Sequence, residues 1–189
     1  MIRTFRDPRA LPQRDLKPLH GSHYLMGLEH REIIATSIPQ GGRMLEWGCG
    51  NSTVWFRANV PDATIVSVEH DPERAERFGA VHRAVNAGKP ATIGEEWFSA
   101  ESDPSGYVFA SDFIPAKPEY DVILVDGVLR NLCLLAAHLW LTPTGVVFLH
   151  DSDRNWYTTG QQAYRGVMES GSCHDYPGPK LWAGYPRRR

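Results

Sequence analysis

Short apolar runs bounded by turn residues recur along the chain, and stretches with helical spacing of apolar residues separate them. This pattern predicts strands at 43–47, 63–69, 91–93, 120–126, 145–150 and 180–185. It predicts helices at 27–38, from about 51, at 72–86, at 129–141 and at 156–169. Because strands and helices alternate from Arg43 onward, we expect an α/β fold with a doubly wound, mostly parallel sheet and helices on both faces.

The chain has 189 residues, which fits a single domain. Residues 1–26 contain prolines and show little periodicity, so we expect an N-terminal arm or lid before a core at 27–189. No apolar run approaches the roughly 20 residues of a membrane span. The N-terminus has no apolar core like that of a secretory signal, so we expect a cytoplasmic protein. The net charge of -2 argues against a nucleic-acid partner.

The segments that directly follow the predicted strands are acidic, polar or rich in glycine. They are 46–53, 69–71, 126–130 and 150–153. In a doubly wound sheet, ligands bind beyond the carboxyl ends of the strands, near the point where the strand order reverses. We therefore expect these four segments to form the functional site.

The turn after the first predicted strand has the features of a ligand-binding turn. Gly48 and Gly50 carry no side chain, so a ligand can approach the backbone closely there. The helix that follows offers free N–H groups, with Asn51 or Ser52 as the expected cap. Glu69 ends the next strand, where a carboxylate can accept hydrogen bonds from the two hydroxyls of a ribose.

Two ligands that contain adenosine fit this arrangement, a dinucleotide and S-adenosylmethionine. A dinucleotide site favours a third glycine at the position of Thr53. Glu46 precedes the glycines, and a carboxylate there repels a pyrophosphate but suits a cation. S-adenosylmethionine carries a sulfonium and an ammonium group and no phosphate. A dinucleotide oxidoreductase is therefore the least favoured interpretation.

Three segments resemble motifs of class I S-adenosylmethionine-dependent methyltransferases, in the order and spacing of that family. They are 45–53, 68–71 and 121–127. The resemblance implies a Rossmann-like sheet of seven strands, with Glu46 and the glycine turn near the methionine part of the cofactor and Glu69 on the ribose. The cofactor-binding residues expected from the first two motifs are Glu46, Gly48, Gly50, Asn51, Ser52, Thr53, Glu69 and His70. The adenine-binding residue of the family has no clear match, with Glu95 and Glu96 as candidates.

The candidate catalytic residues are Asp126, His150 and Asp151, each at the end of an apolar strand. Asp126 and Asp151 could hold a hard divalent cation such as Mg²⁺ or Mn²⁺. The alternative is a site without metal in which His150 or Asp126 is the base. The arrangement is similar to metal-dependent catechol-type O-methyltransferases, but Ser152 stands where that family has Asn.

The segment 150–154 also resembles plant polysaccharide methyltransferases that act on glucuronic acid side chains, which favours a sugar hydroxyl as acceptor. The sequence thus predicts O-methylation of a small molecule or carbohydrate. The alternatives are an aminopropyl-type transferase on the same fold and a non-catalytic module that binds S-adenosylmethionine. Four further residues are candidates near the site, from the N-terminal segment and from the stretch after the fifth strand. They are His20, His23, His30 and Trp156.

Overall fold

The structure, a computed structural model, describes residues 26–85, 105–110, 114, 117–153, 157–170 and 180–187. The helices are α1 Leu28–Ser37, α2 Asn51–Asn59, α3 Pro72–Phe78, α4 Ser105–Phe109, α5 Arg130–Ala137 and α6 Thr158–Gln162. The strands are β1 Arg43–Trp47, β2 Thr64–Glu69, β3 Val81–His82, β4 Tyr120–Val125, β5 Leu141–His150, β6 Tyr164–Ser170 and β7 Leu181–Pro186. None of the described helices is both long and apolar enough to cross a bilayer.

The seven strands form one sheet in the order β3-β2-β1-β4-β5-β7-β6. The pairs β1–β2, β2–β3, β1–β4 and β4–β5 are parallel. β7 runs antiparallel to both β5 and β6. The predicted seven-stranded, mostly parallel Rossmann-like sheet is thus confirmed. The strand order reverses between β1 and β4, where such folds bind their ligands.

Apolar side chains on successive strand residues enter two different cores, one on each face of the sheet. Met44 packs with α1 and α2 in one core. The next residue, Leu45, packs with α4 and α5 in the other. This alternation follows from the two-residue repeat of a strand that is buried on both faces. Helices therefore cover both faces, as the sequence predicts.

Three predicted helices differ from the structure. The helix predicted at 129–141 ends at Ala137, and β5 begins at Leu141 and not at 145. The helix predicted at 72–86 ends at Phe78, because Gly79 adopts the left-handed conformation of a C-cap and the third strand follows at once. The helix predicted at 156–169 is confined to α6, and the chain then forms the edge strand β6. β6 pairs with β7 alone, so its structure depends on a partner that is distant in sequence.

The start of α2 also differs from the prediction. Gly50, and not Asn51 or Ser52, occupies the N-cap position. The hydroxyl of Thr53 accepts a hydrogen bond from the Gly50 N–H at 2.9 Å, so a residue inside the helix satisfies the cap. The predicted strand at 91–93 and the predicted arm at 1–25 lie outside the described residues.

Candidate functional site

The loops that follow β1 and β4 contact each other directly through two glycines. Gly48 has a φ of +90°, and a Cβ added to it would lie 2.7 Å from the Gly127 Cα. A Cβ on Gly127 would lie 2.1 Å from the hydroxyl oxygen of Tyr107, a fully buried residue of α4. Both glycines are therefore required by the packing of these loops.

Gly50 differs from Gly48 in its surroundings. A Cβ added to Gly50 would meet only the Arg74 Nη2, at 3.4 Å, which is an ordinary van der Waals contact. Its φ of 177° is extended backbone that any residue can adopt. Gly50 therefore leaves space beside the start of α2 that the described protein atoms do not need.

Glu46 points into the protein beside this turn, and its side chain is 1% exposed. Its Oε1 accepts a hydrogen bond from the Thr53 hydroxyl. Its Oε2 is buried and has no hydrogen-bond partner among the described residues. Burial raises the pKa of Glu46 to about 7, although the nearby hydroxyls of Thr53 and Ser67 oppose the rise. Near neutral pH the carboxyl is therefore poised between its neutral and charged forms.

Glu69, at the end of β2, is equally buried but has many hydrogen-bond donors around it. Its Oε1 accepts the N–H of His70 at 2.8 Å and the N–H of Asp71 at 3.0 Å. Its Oε2 accepts the N–H of Cys49 at 3.0 Å. The His70 Nδ1 lies 2.6 Å from Oε1. Burial alone would raise the pKa of Glu69, but these donors lower it to about 2.

The surroundings of Glu69 limit how it can meet a ribose. Both carboxylate oxygens already accept backbone N–H groups, and the His70 ring occupies the remaining side of Oε1. The His70 side chain is partly exposed, whereas Glu69 is buried. A ribose hydroxyl that reaches the Glu69 Oε1 must therefore take the place of the His70 ring.

The three candidate catalytic residues form one cluster across the ends of β4 and β5. The His150 Nδ1 lies 2.9 Å from the Asp126 Oδ1 and 3.5 Å from the Asp151 Oδ1. Burial would lower the pKa of His150, but the two carboxylates outweigh it and raise the pKa above its usual value. Burial would likewise raise the pKa of Asp126, but His150 and Arg130 hold it below its usual value. The cluster is therefore a set of charges that stabilise one another.

The carboxylates and the imidazole differ in their access to solvent. Asp126 and Asp151 are about one-fifth to one-quarter exposed, at 24% and 20%. The His150 side chain is 3% exposed, and its ring contacts that of His30 from α1 edge to face, with centroids 5.7 Å apart. The carboxylates thus face the open side of the site and His150 lies behind them. This refines the expectation that all three residues face an acceptor.

Arg130, the first residue of α5, joins the parts of this cluster; the sequence places it in the predicted site segment 126–130 but assigns it no role. Its Nε donates to the Gly127 carbonyl at 2.8 Å, and its Nη2 donates to the Asp126 carbonyl at 3.2 Å. Its Nη1 donates to the His150 carbonyl. Nη1 also lies 3.0 Å from the Asp151 Oδ2, and Nη2 lies 3.3 Å from the Asp126 Oδ1. A guanidinium has five N–H groups, and here each has an oxygen partner.

Two residues of this cluster region have unusual backbone conformations. Leu129 and Asp151 have φ values of 54° and 53°, in the left-handed region that few non-glycine residues adopt. Each such residue costs on the order of 1–3 kcal/mol. Leu129 directs Arg130 into α5, and Asp151 turns the chain after β5. Such strained residues persist only where the surrounding structure holds them in place, and they are common at functional sites. Here they lie on both sides of one cluster.

The cluster does not fit a divalent cation, although Asp126, His150 and Asp151 have suitable ligand types. Their ligand atoms lie within 4.8 Å of one another. The guanidinium of Arg130, however, already contacts both carboxylates. The His150 Nδ1 faces carboxylates, which only accept hydrogen bonds, so it acts as a donor in this arrangement and a metal would have to displace its proton.

A polar pocket of 410 Å³ opens beside the end of β5. It is lined by Ser152, Asp153, Gln161, Lys180 and Trp182 among others. Ser152 is nearly buried, and its hydroxyl has no hydrogen-bond partner among the described residues. Ser152 directly follows Asp151, so one short chain segment contributes to both the pocket lining and the acidic cluster.

The remaining predicted residues fall into two groups. Asn51 and Ser52 lie half-buried at the start of α2, beside Gly50. Candidates outside the described residues are His20, His23, Glu95, Glu96, Arg154 and Trp156. Sequence reasoning missed Tyr107, and it placed Arg130 in a site segment without a role, because no periodicity or motif at either position indicates the contacts of its side chain.

Comparisons with known proteins agree with this architecture. No family model matches the chain, and no curated protein matches it in sequence. Among solved structures, a methyltransferase-like protein from Silicibacter pomeroyi has a TM-score of 0.64 and 22% identity, with 87% of this chain and 89% of that chain covered. A TehB-like S-adenosylmethionine-dependent methyltransferase from Corynebacterium glutamicum has a TM-score of 0.53 and 13% identity, with 84% and 87% covered.

A third similar structure holds a cofactor. Aeropyrum pernix fibrillarin, in complex with natively bound S-adenosyl-L-methionine, has a TM-score of 0.51 and 10% identity, with 77% of this chain and 66% of that chain covered. At these identities the comparisons concern the fold. The chain has the α/β fold of S-adenosylmethionine-dependent methyltransferases.

Proposed function

We propose that this protein transfers a methyl group from S-adenosylmethionine to a hydroxyl group of a small molecule or carbohydrate. The observation that carries the proposal is the meeting of two glycine loops where the strand order reverses, with open space beside Gly50. The acidic cluster at the ends of β4 and β5 lies next to that point along the same sheet edge.

The residues around the glycine turn fit the chemistry of this cofactor. The Gly50 turn leaves room for a ligand against the backbone, and the unpartnered Oε2 of Glu46 can accept a hydrogen bond from an ammonium group. Glu69, with His70 moved aside, can accept hydrogen bonds from ribose hydroxyls. The first residues of α2, Asn51 and Ser52, complete the proposed binding surface. The next residue, Thr53, donates a hydrogen bond to Glu46.

When bound, S-adenosylmethionine supplies a methyl carbon that its sulfonium makes electrophilic. The protein must then hold the acceptor oxygen in line with that carbon and exclude water. The partly exposed carboxylates of Asp126 and Asp151 are the groups that can meet an acceptor hydroxyl. The Asp126 Oδ1 contacts His150 and Arg130, which leaves Oδ2 to accept the hydroxyl hydrogen.

In the proposed step, Asp126 takes the proton as the bond between the acceptor oxygen and the methyl carbon forms. The bond between the methyl carbon and sulfur breaks, and its electron pair stays on the sulfur. His150 does not touch the acceptor, because it is buried behind the carboxylates. Its role is to fix the Asp126 carboxylate through the 2.9 Å hydrogen bond. The polar pocket beside Asp151 suits an acceptor that carries several hydroxyl groups.

Calorimetric titration of the purified protein with S-adenosylmethionine and S-adenosylhomocysteine tests the cofactor assignment. We expect both to bind the native chain and at least tenfold weaker binding by Gly50→Ala, whose added methyl group fills the open space. Gly106→Ala is the matched control, since a Cβ there meets nothing within 4 Å. Failure of the native chain to bind either compound would overturn the proposal.

A second experiment tests the reaction. The native protein is incubated with S-adenosylmethionine and pools of sugars, oligosaccharides and phenols, and products are analysed by mass. We expect methylated products that Asp126→Asn does not form while it still binds the cofactor. In a parallel incubation with decarboxylated S-adenosylmethionine and amine acceptors, an aminopropyl product would indicate the alternative transferase. Cofactor binding without any product in either incubation would indicate a binding module.

A further inference from the structure

The geometry points to the Arg130 guanidinium as a resident cation that occupies the place of a divalent metal between Asp126 and Asp151. Arg130 is then the positioning residue of the acidic cluster, and the site needs no metal ion. The inference rests on the proposed function for the reaction that the cluster serves. The claim about metal binding is independent of that reaction.

The contacts of Arg130 match the requirements of a fixed cation. Two of its nitrogens lie 3.0 Å and 3.3 Å from oxygens of the two carboxylates, so one positive group bridges both. The carbonyls of Gly127, His150 and Asp126 accept its remaining N–H groups. Because the guanidinium is planar and rigid, these five contacts fix its position as a coordination sphere fixes a metal.

The burial of Arg130 strengthens this argument. The side chain is only 9% exposed, and a buried cation is tolerated when it is paired and hydrogen-bonded. Arg130 is also the first residue of α5, where the helix dipole disfavours a positive charge. The two carboxylates offset this unfavourable placement. A residue that only capped the helix would be acidic or neutral at this position.

A metal ion and Arg130 would compete for the same oxygens. Mg²⁺ binds carboxylate oxygens at about 2.0–2.1 Å. An ion at that distance from the Asp126 Oδ1 or the Asp151 Oδ2 would lie against the guanidinium nitrogens that now contact those atoms. A metal ion and the guanidinium cannot occupy this space together. Arg130 is covalently part of the chain, so the metal ion is the group that is excluded. Removal of the guanidinium should therefore free the two carboxylates for a metal.

The test is a Mn²⁺ titration, followed by electron paramagnetic resonance, in the absence of S-adenosylmethionine. We expect no saturable binding by the native chain up to about 1 mM Mn²⁺, a weak limit even for carboxylate sites. Arg130→Met, which keeps an unbranched apolar stem but removes the charged guanidinium, should gain a Mn²⁺ site. Arg130→Lys, which keeps the charge, should not. Adding Asp151→Asn to Arg130→Met should remove the gained site.

Each outcome decides the inference. Saturable Mn²⁺ binding by the native chain overturns it, and this measurement needs no variant to fold. A folded Arg130→Met chain that binds no Mn²⁺, or an Arg130→Lys chain that binds it, also overturns it. A residue with a merely structural role would not create a metal site when removed. Loss of cofactor binding by the native chain would instead refute the proposed function and leave the Mn²⁺ result intact.

Discussion

Glu46 and Glu69 lie near the carboxyl ends of the adjacent strands β1 and β2, and both are almost fully buried. Their pKa values nevertheless move in opposite directions, to about 7 for Glu46 and to about 2 for Glu69. Glu69 accepts three backbone N–H groups, whereas one oxygen of Glu46 has no partner among the described residues. Hydrogen-bond donors, and not burial, therefore decide which carboxyl carries a charge.

The difference separates two roles within one ligand site. Glu69 is a charged part of the protein framework that ties the β1 turn to the end of β2 through the N–H of Cys49. Glu46 has one oxygen without a partner among the described residues, so a ligand that donates a hydrogen bond to it would favour the charged form. Four predictions test this contrast, in order of decreasing effect.

Glu69→Gln should cause the largest loss of stability. The amide can no longer accept hydrogen bonds on both sides, and its NH₂ group faces backbone N–H groups. We expect the free energy of unfolding to fall by roughly 3 kcal/mol, as for other buried charged hydrogen bonds that lose one partner. Urea denaturation near pH 7 measures this loss. Glu46→Gln is the matched control, and an equal loss in both variants would contradict the contrast.

The pH dependence of stability should differ between the native chain and Glu46→Gln. The pKa of Glu46 is raised in the folded state, so its contribution is complete below 4.5 and is lost as the pH rises through about 7. Relative to Glu46→Gln, the native chain should lose about 3 kcal/mol between these pH values. The contribution of Glu69 has the opposite sign and is lost as the pH falls from 4.5 through about 2. Parallel profiles of denaturation midpoint against pH would refute this assignment.

Glu46→Gln should also weaken the proposed binding of S-adenosylmethionine. At about pH 8 the native carboxylate is charged and the amide is not, so we expect roughly tenfold weaker binding, or about 1.4 kcal/mol. The difference should shrink toward pH 6, where the native carboxyl is largely protonated. Calorimetry at both pH values measures this ratio. A ratio that stays constant would mean that Glu46 does not meet the positive group of the ligand.

The smallest effect should come from Cys49→Ser. The Cys49 thiol lies 3.5 Å from the Glu69 Oε2, but the backbone N–H of the same residue makes the main contact. The serine hydroxyl keeps a donor at this place, so we expect a change in unfolding free energy of about 0.5 kcal/mol or less. Thermal denaturation of the two chains provides the comparison. A loss close to that of Glu69→Gln would show that the thiol, and not the backbone, holds the carboxylate.

The central part of the fold could be predicted from the sequence because its strands are short, continuous apolar runs. β1, β2 and β4 lie within one residue of their predicted ends. The edge strand β6 was wrongly predicted as helix, since its residues show no strand alternation and β7 is its one partner among the described strands. Local pattern is therefore informative for buried parallel strands and poor for an edge strand.

The candidate site shows the same limit. The carboxyl ends of parallel strands share one edge, so Asp126 and His150 could be predicted to meet. The orientation of Arg130 could not, because it depends on the left-handed conformation of Leu129, which the sequence does not indicate. The burial of His150 against His30 likewise depends on where α1 packs.

The contact between Gly48 and Gly127 has a consequence for engineering a new substrate range. The two loops pack backbone against backbone, since a Cβ added to either glycine would lie within 2.9 Å of an atom of the other. Libraries that randomise 126–130 would therefore also disturb the glycine turn after β1, where S-adenosylmethionine is proposed to bind. Residues 152, 153 and 161 line the polar pocket and are therefore the better positions to randomise.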